Sequence, residues 1–332
     1  VDRLQIMVTA ARNRGGPLPH LLFDGPPGLG KTSLAYTLAR EMDSHFQVVA
    51  APVLKDPRDL LPFLLRLRPN AILFLDEAHR LPPAVEEALY SVMEDFRFDG
   101  NPPIFLSPFT LVAATTRAGS LSRPMRDRFA VHLSLEPYPT NDLVRIVRRA
   151  AEKLNLQMPD APAEQIAKRS RGTPRIAISL LAWIRDVANG GPVTATLARD
   201  ALEMIGVDES GLTVLDRKYL AILDATRTPL GLETIAASLD SHPETIRAME
   251  GHLLRLGLIH RTPRGRLLAS KGEQSQPQAP EPIEPDRPCL FCGRTTAPAI
   301  RDGQRREPPH VICSLCGVPA GELPPPKLPA VS

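Results

Sequence analysis

Cysteine is absent from the first 288 residues of this 332-residue chain, and the four that occur lie between Cys289 and Cys316. That absence argues against a disulfide framework in the larger part of the protein. Net charge is nearly missing as well. The 40 lysines and arginines against 37 acids leave a formal +3, so the chain as a whole is no polycation and any nucleic-acid surface has to be local. No apolar run is long enough to span a bilayer and no signal peptide is seen, which sets the expectation of a cytoplasmic protein with no membrane partner. A first methionine is lacking too. Val1 reads either as the start of a fragment or as a start at a non-ATG codon. The length suits two or three domains with a sizeable core.

What the sequence does have begins at Gly25-Pro26-Pro27-Gly28-Leu29-Gly30-Lys31-Thr32, which fits the phosphate-cradling loop G-x-x-x-x-G-K-[ST]. Residues 20–24 before it read as a short buried strand. Residues 33–40 after it read as a helix with Leu34 and Leu38 on one face. Strand, glycine loop and helix together aim backbone N–H groups and a helix N-terminus at a polyphosphate. Lys31 would reach the β/γ-phosphates, and the Thr32 hydroxyl would bind Mg²⁺. The bland alternative is a Gly-Pro surface turn, and the flanking pattern argues against it. Residues 71–77 form a second apolar run ending in Asp76 and Glu77, as expected of a strand buried on both faces. An acid at the C-terminal edge of a parallel sheet faces the ligand crevice. Asp76 is placed to hold Mg²⁺ and Glu77 to polarise the attacking water. Alone that signal is weak, but one strand-helix-strand unit after a phosphate loop it specifies an ATPase-type site.

The rest of the chain falls into distinct stretches. Residues 1–136 alternate helix and strand, with Val85, Leu89, Val92 and Phe96 on one helical face and residues 109–116 as another buried strand. Residues 137–208 read as wholly helical. Residues 209–270 carry three short helical patterns, then strand, Pro-Arg-Gly turn and strand, which suggests a winged helix. Ser241 and Glu244 have the spacing of a capping box opening its third helix. Arg261, Arg264 and Arg266 cluster at the turn, either to meet DNA phosphates or simply as a solvated basic hairpin. Residues 271–288 are a Pro/Gln/Glu linker, and residues 319–332 a proline-rich tail, both expected to be disordered. Between them, residues 289–318 hold Cys289, Cys292, Cys313 and Cys316 in two Cys-x-x-Cys-Gly knuckles, close to zinc-ribbon spacing. Four thiolates would make a closed structural zinc site, with a redox pair or unligated thiols as alternatives and His310 as a spare ligand.

These segments together resemble the RuvB family, the AAA+ motors that drive branch migration of Holliday junctions in bacteria. The resemblance runs in order through most of residues 1–269. It rests on Gly25–Thr32, Leu73–Leu81, Val85–Phe96, Phe109–Phe129, Ser170–Ala177 and Arg261–Arg266. It implies an α/β AAA+ core with a parallel sheet, a helical lid, and a winged helix that binds DNA largely without regard to sequence. It also implies roles: Thr116 as the sensor beside the γ-phosphate, Arg128 as the arginine finger serving the neighbouring subunit's ATP, and Arg175 as the lid's phosphate sensor. A surface cation is the bland reading of Arg128, with Arg126 as a bystander. A finger acting across subunits requires an oligomer, in this family a hexameric ring around DNA.

Three departures stand out. The family's adenine-packing N-terminal segment would precede Val1. The stretch 95–109 is shorter than the family's hairpin that docks on RuvA, so ordinary RuvA coupling is doubtful. The cysteine module is an addition, which suggests an unknown protein partner. The expectation is therefore an ATP- and Mg²⁺-dependent DNA motor carrying Zn²⁺. The alternative is a loader or ATP-regulated switch that positions another DNA-processing protein without translocation. A purely zinc-dependent DNA-binding protein would leave the ATPase constellation unexplained.

Overall fold

The structure, a computed structural model, describes residues 2–269, so the linker, the cysteine pairs and the tail lie outside the described residues. The first unit runs α1 (Asp2–Arg14), β1 (Leu21–Asp24), α2 (Lys31–Glu41), β2 (Phe46–Ala50), α3 (Leu61–Leu64), β3 (Ile72–Asp76), α4 (Pro83–Glu94), β4 (Arg97–Phe98), β5 (Ile104–Phe105), β6 (Thr110–Thr115), α5 (Arg123–Asp127) and β7 (Val131–Ser134). Five of these strands form one parallel sheet in the order β2-β3-β6-β1-β7. Its central strands read as unbroken apolar runs because helices cover both faces. Leu22, Leu73, Leu75, Leu111 and Ala113 pack on the α4 side with Val85, Leu89 and Val92. Their neighbours Leu21, Phe23, Ile72, Phe74, Val112 and Ala114 pack on the α1–α2 side. The strands end together at the C-terminal edge, where Asp24 pairs with Thr115, Asp76 closes β3, and the crossovers leave a crevice.

Within 95–109 the antiparallel pair β4–β5 keeps only two residues per strand, with Arg97 opposite Phe105 and Phe98 opposite Ile104. Phe98 points into the core, whereas Phe105, opposite Arg97 at the end away from the turn, is 77% exposed.

The second unit is four helices, α6 (Thr140–Lys153), α7 (Asp160–Arg169), α8 (Pro174–Ala188) and α9 (Ala195–Met204), around Val147, Ile166, Leu181, Ile184 and Leu202. The third is α10 (Val214–Thr226), α11 (Leu232–Ser238), α12 (Pro243–Arg255) and the antiparallel pair β8 (Ile259–Thr262) and β9 (Gly265–Leu268). The cap of α12 differs from the expected one. His242, not Ser241, is the capping residue, and its Nδ1 accepts the Glu244 N–H at 3.4 Å. The reason is Pro243, whose fixed φ and missing N–H suit the first helical position and shift the cap one residue along.

Lid and winged helix are joined by a buried ion pair. Arg171 Nη2 lies 2.5 Å from Oδ2 of the fully buried Asp216, and Arg255 Nη2 donates to the Arg171 carbonyl at 3.2 Å. The first unit touches the third through Arg117 and Glu244, an exposed pair at 3.5 Å.

Candidate functional site

The loop between β1 and α2 is shaped by backbone that other residues cannot adopt. Gly25 has φ 140°, and a Cβ there would sit 2.5 Å from the Leu135 carbonyl oxygen. At Gly28, φ 81°, a Cβ would meet Thr173 Cγ2 at 2.8 Å and Arg175 Cβ at 3.0 Å, so the loop is pressed against the start of lid helix α8. The Arg175 N–H donates to the Gly28 carbonyl at 3.3 Å, and the Tyr138 hydroxyl to that of Leu29 at 3.4 Å.

Inside this loop Lys31 Nζ donates to the carbonyls of Gly25 (2.6 Å) and Pro26 (2.9 Å). Burial pushes its ammonium pKa below the ordinary lysine value, while Asp76, Glu77 and Asp24 resist that and Arg175 adds to it. A buried cation held only by carbonyl dipoles is an anion site by construction, because an arriving phosphate supplies the full charge that burial removed. Lys31, Thr32, Asp76, Glu77, Thr116 and Arg175 all line one cleft of about 420 Å³ between the first unit and the lid. Thr32 and Asp76 present a hydroxyl and a carboxylate, the hard oxygen ligands that Mg²⁺ takes alongside phosphate. The residues present therefore fit a nucleoside triphosphate and its Mg²⁺.

Glu77 follows the last residue of β3 with φ 54°, a left-handed conformation unusual for a side-chain-bearing residue. Its N–H donates to Asp76 Oδ1 at 3.0 Å. Two residues at the cleft were not singled out from the sequence as site residues, Tyr138 and His79. His79 could be found only by seeing that the short turn after Glu77 folds back on it; Glu77 Oε2 lies 3.3 Å from its Nε2.

Arg128 lies apart from this cleft. Its Nε is 3.1 Å from Glu94 Oε1, its guanidinium carbon is 4.0 Å above the Tyr90 ring, and Nη1 donates to the Pro124 carbonyl at 2.8 Å. Ion pair, ring and carbonyl fix the fork in one pose. Nearby Arg123 is 86% exposed and pairs only with Asp127.

The three wing arginines do not act alike. Glu250 on α12 is fully buried and accepts from the Tyr219 hydroxyl (2.9 Å), Arg261 Nη2 (2.6 Å) and Arg266 Nε (2.8 Å). Arg261 and Arg266 thereby fasten the wing to α12, and Arg264 stands exposed in the turn between β8 and β9. Burial pushes the Glu250 carboxyl up, but hydrogen bonds from Arg266, Arg261 and Tyr219 outweigh it and hold the pKa below its ordinary 4.5. A folded pKa below the unfolded one gives stability that is present above the unfolded value and lost as pH falls through the folded one. Glu250→Gln is expected to cost about 3 kcal/mol, since it leaves two guanidinium groups without their charge partner. Thermal melts across pH check this: the wild-type advantage over the variant should shrink as pH falls below 4.5. An unchanged melting temperature at pH 7 would contradict it.

Among the described residues no group of three or more histidine, cysteine or acidic side chains is placed to hold a metal ion, and no helix is long and apolar enough to cross a membrane. The expected zinc ligands Cys289, Cys292, Cys313 and Cys316 lie outside the described residues.

Comparison with known proteins agrees with this geometry along the chain. Residues 1–135 match the family model of the Holliday junction DNA helicase RuvB P-loop domain, residues 138–208 the RuvB AAA lid domain, and residues 209–275 the RuvB C-terminal winged helix domain. The Holliday junction branch migration complex subunit RuvB 2 of a Synechococcus species is 46% identical, the match covering 84% of this chain and 80% of that one. The RuvB subunit of a Nitratiruptor species is also 46% identical, over 81% of this chain and 85% of its own. Among solved structures, the Thermotoga maritima RuvB Holliday junction branch migration motor superposes with a TM-score of 0.74 at 42% identity, covering 81% of this chain and 91% of that one. Phosphate loop, acid-tipped strand, lid and winged helix thus occur here in the order and shape of those proteins, and the chain belongs to the RuvB family.

Proposed function

We propose that this chain is an ATP-hydrolysing DNA motor acting on branched DNA, driving branch migration of Holliday junctions as its relatives are named for doing. The observation that carries this is the single cleft joining Lys31, Thr32, Asp76, Glu77, Thr116 and Arg175 in a chain matched to RuvB in all three units. The loop Gly25-Pro26-Pro27-Gly28-Leu29-Gly30 wraps the phosphates, with Gly28, Leu29 and Gly30 offering the backbone N–H groups that the two prolines lack, and Lys31 neutralises the charge. Thr32 and Asp76 would hold Mg²⁺, which would supply Lewis-acid withdrawal of charge from the phosphates. Glu77 orients and deprotonates the attacking water, and Thr116 senses the γ-phosphate. Arg175 brings the lid onto the phosphates. Arg128, remote from its own cleft, serves the ATP of the next subunit in a ring. Arg264 meets the DNA backbone directly, with Arg261, about half exposed, beside it.

A loader or switch without translocation is not favoured, because the acids and arginines of a hydrolytic site are all present and the matched relatives are branch-migration proteins. With the β4–β5 hairpin reduced to a stub, coupling to RuvA is expected to be weak. The test is steady-state ATP hydrolysis and strand displacement on a four-way junction, with and without RuvA. Hydrolysis stimulated by the junction, with displaced strands that RuvA barely increases, is the expected result. Hydrolysis with no displaced strand under any condition would return the reading to the loader. Strong stimulation and co-elution with RuvA would show that the stub suffices for docking.

A further inference from the structure

We infer that His79 is a positioning residue for ATP hydrolysis: its ring links Thr115 on β6, to which it is hydrogen-bonded, with the carboxylate of Glu77 after β3, which it meets at ion-pair distance. This rests on the proposed hydrolytic role of the cleft and deepens it.

The geometry begins with the sheet. β3 and β6 are neighbours, with Leu75 opposite Ala113, so both strands end at the ligand edge. After Asp76 the backbone turns through the left-handed Glu77 into a single 3-10 turn, Ala78–Arg80. That turn swings the His79 ring back between the two strand ends. Its Nε2 lies 3.3 Å from Glu77 Oε2 and its Nδ1 lies 3.1 Å from Thr115 Oγ1. The ring is 10% exposed, whereas Glu77 keeps 39% of its side chain open to the cleft.

One placement of protons serves both contacts. Thr115 Oγ1 already accepts the Arg117 N–H at 2.9 Å, so the hydroxyl's own proton is free to point at His79 Nδ1. With its single proton on Nε2 the neutral ring turns that N–H toward the Glu77 carboxylate, 3.3 Å away. Burial pushes the His79 pKa down, which favours this neutral ring; Glu77 and Asp76 oppose the shift, and Arg117 and Arg80 reinforce it. An ordinary core histidine would also have two partners. This one is set apart by what they are: the water-activating carboxylate on one side and the residue adjoining Thr116 on the other. A shift of the β6 end therefore reaches Glu77 through one ring.

The side chain can be replaced in two informative ways. A glutamine amide reaches about as far as Nε2 and keeps a donor for Glu77. An asparagine amide reaches about as far as Nδ1 and keeps only Thr115. Steady-state hydrolysis and the dissociation constant of a fluorescent ATP analogue are measured for wild type, His79→Ala, His79→Asn, His79→Gln and Thr115→Val. Alanine and asparagine should lower kcat about 10–100-fold, as loss of a supporting partner of an active-site group does. KM and analogue affinity should stay within about twofold, because the ground-state contacts to phosphate are untouched. Glutamine should recover most of the loss. Thr115→Val should lower kcat on its own and add little to His79→Ala, since both break the same link.

Wild-type kcat in His79→Ala, or an asparagine variant as active as the glutamine one, would overturn the inference. So would a rise in KM at unchanged kcat. If His79→Ala does not fold, the Gln–Asn contrast and Thr115→Val decide the matter. A wild-type protein that binds the analogue without hydrolysing ATP would instead overturn the hydrolytic reading itself.

Discussion

Arg128→Ala is expected to lower steady-state ATP turnover by about 10³–10⁵-fold while ATP binding persists, the loss seen when a guanidinium is withdrawn from phosphoryl transfer. The physical reason is that charge on the transferring phosphoryl group is neutralised in the transition state by a fork already held in place. Here the fork is held by the Tyr90 ring, the Glu94 carboxylate and the Pro124 carbonyl. Lysine should not substitute, because a point charge neither stacks on Tyr90 nor divides itself between two oxygens. The distance of Arg128 from its own cleft makes a stronger claim testable. A Lys31→Ala subunit lacks a working phosphate loop but keeps Arg128, and an Arg128→Ala subunit has the reverse. Mixing the two inactive proteins should restore measurable hydrolysis wherever the intact arginine of one adjoins the intact cleft of the other. No recovery on mixing, with subunit exchange verified, would mean that Arg128 does not act across subunits.

The second large effect is at Glu77. Its replacement by glutamine keeps size and polarity but removes the base, so turnover should fall about 10²–10⁴-fold. Binding should survive or tighten, since Lys31, Thr32 and Asp76 still hold the phosphates and Mg²⁺. The variant is then expected to stay ATP-loaded and DNA-bound, visible as a slow-dissociating complex on a four-way junction. Retention of more than a tenth of wild-type turnover would place the base elsewhere.

The parts of this site that could be read from the sequence are those written locally. Gly25–Thr32 encodes a loop whose glycines are demanded by their own φ values, and residues 71–77 encode a strand whose burial follows from unbroken apolar sequence. Arg175 and Arg128 were reachable only through family resemblance, because Arg175 lines a cleft built largely from another unit and the role proposed for Arg128 is in another subunit. The wing arginines show where the reading stops. Arg261 and Arg266 look alike in sequence and both read as DNA contacts, but their buried partner Glu250 sits on the preceding helix, 11 and 16 residues away. Nothing in the spacing distinguishes a solvent-facing glutamate of α12 from one turned inward against Tyr219. The cap of α12 failed for a smaller reason: a correct motif, Ser241 and Glu244, was outcompeted by Pro243.

The Arg171–Asp216 pair has a mechanical meaning. Pulling Asp216 away from Arg171 would strand a charge with no access to water, at a cost of several kcal/mol. The exposed Arg117–Glu244 contact resists by less than about 1 kcal/mol. Torque applied through a DNA-bound wing would therefore break the weak contact first and turn lid and winged helix as one lever. Four residues from Arg171, at the short arm of that lever, stands Arg175. If Arg175 holds the phosphates as proposed, drag on the DNA would be felt there as a force on a single guanidinium, and load and nucleotide turnover would share one shaft.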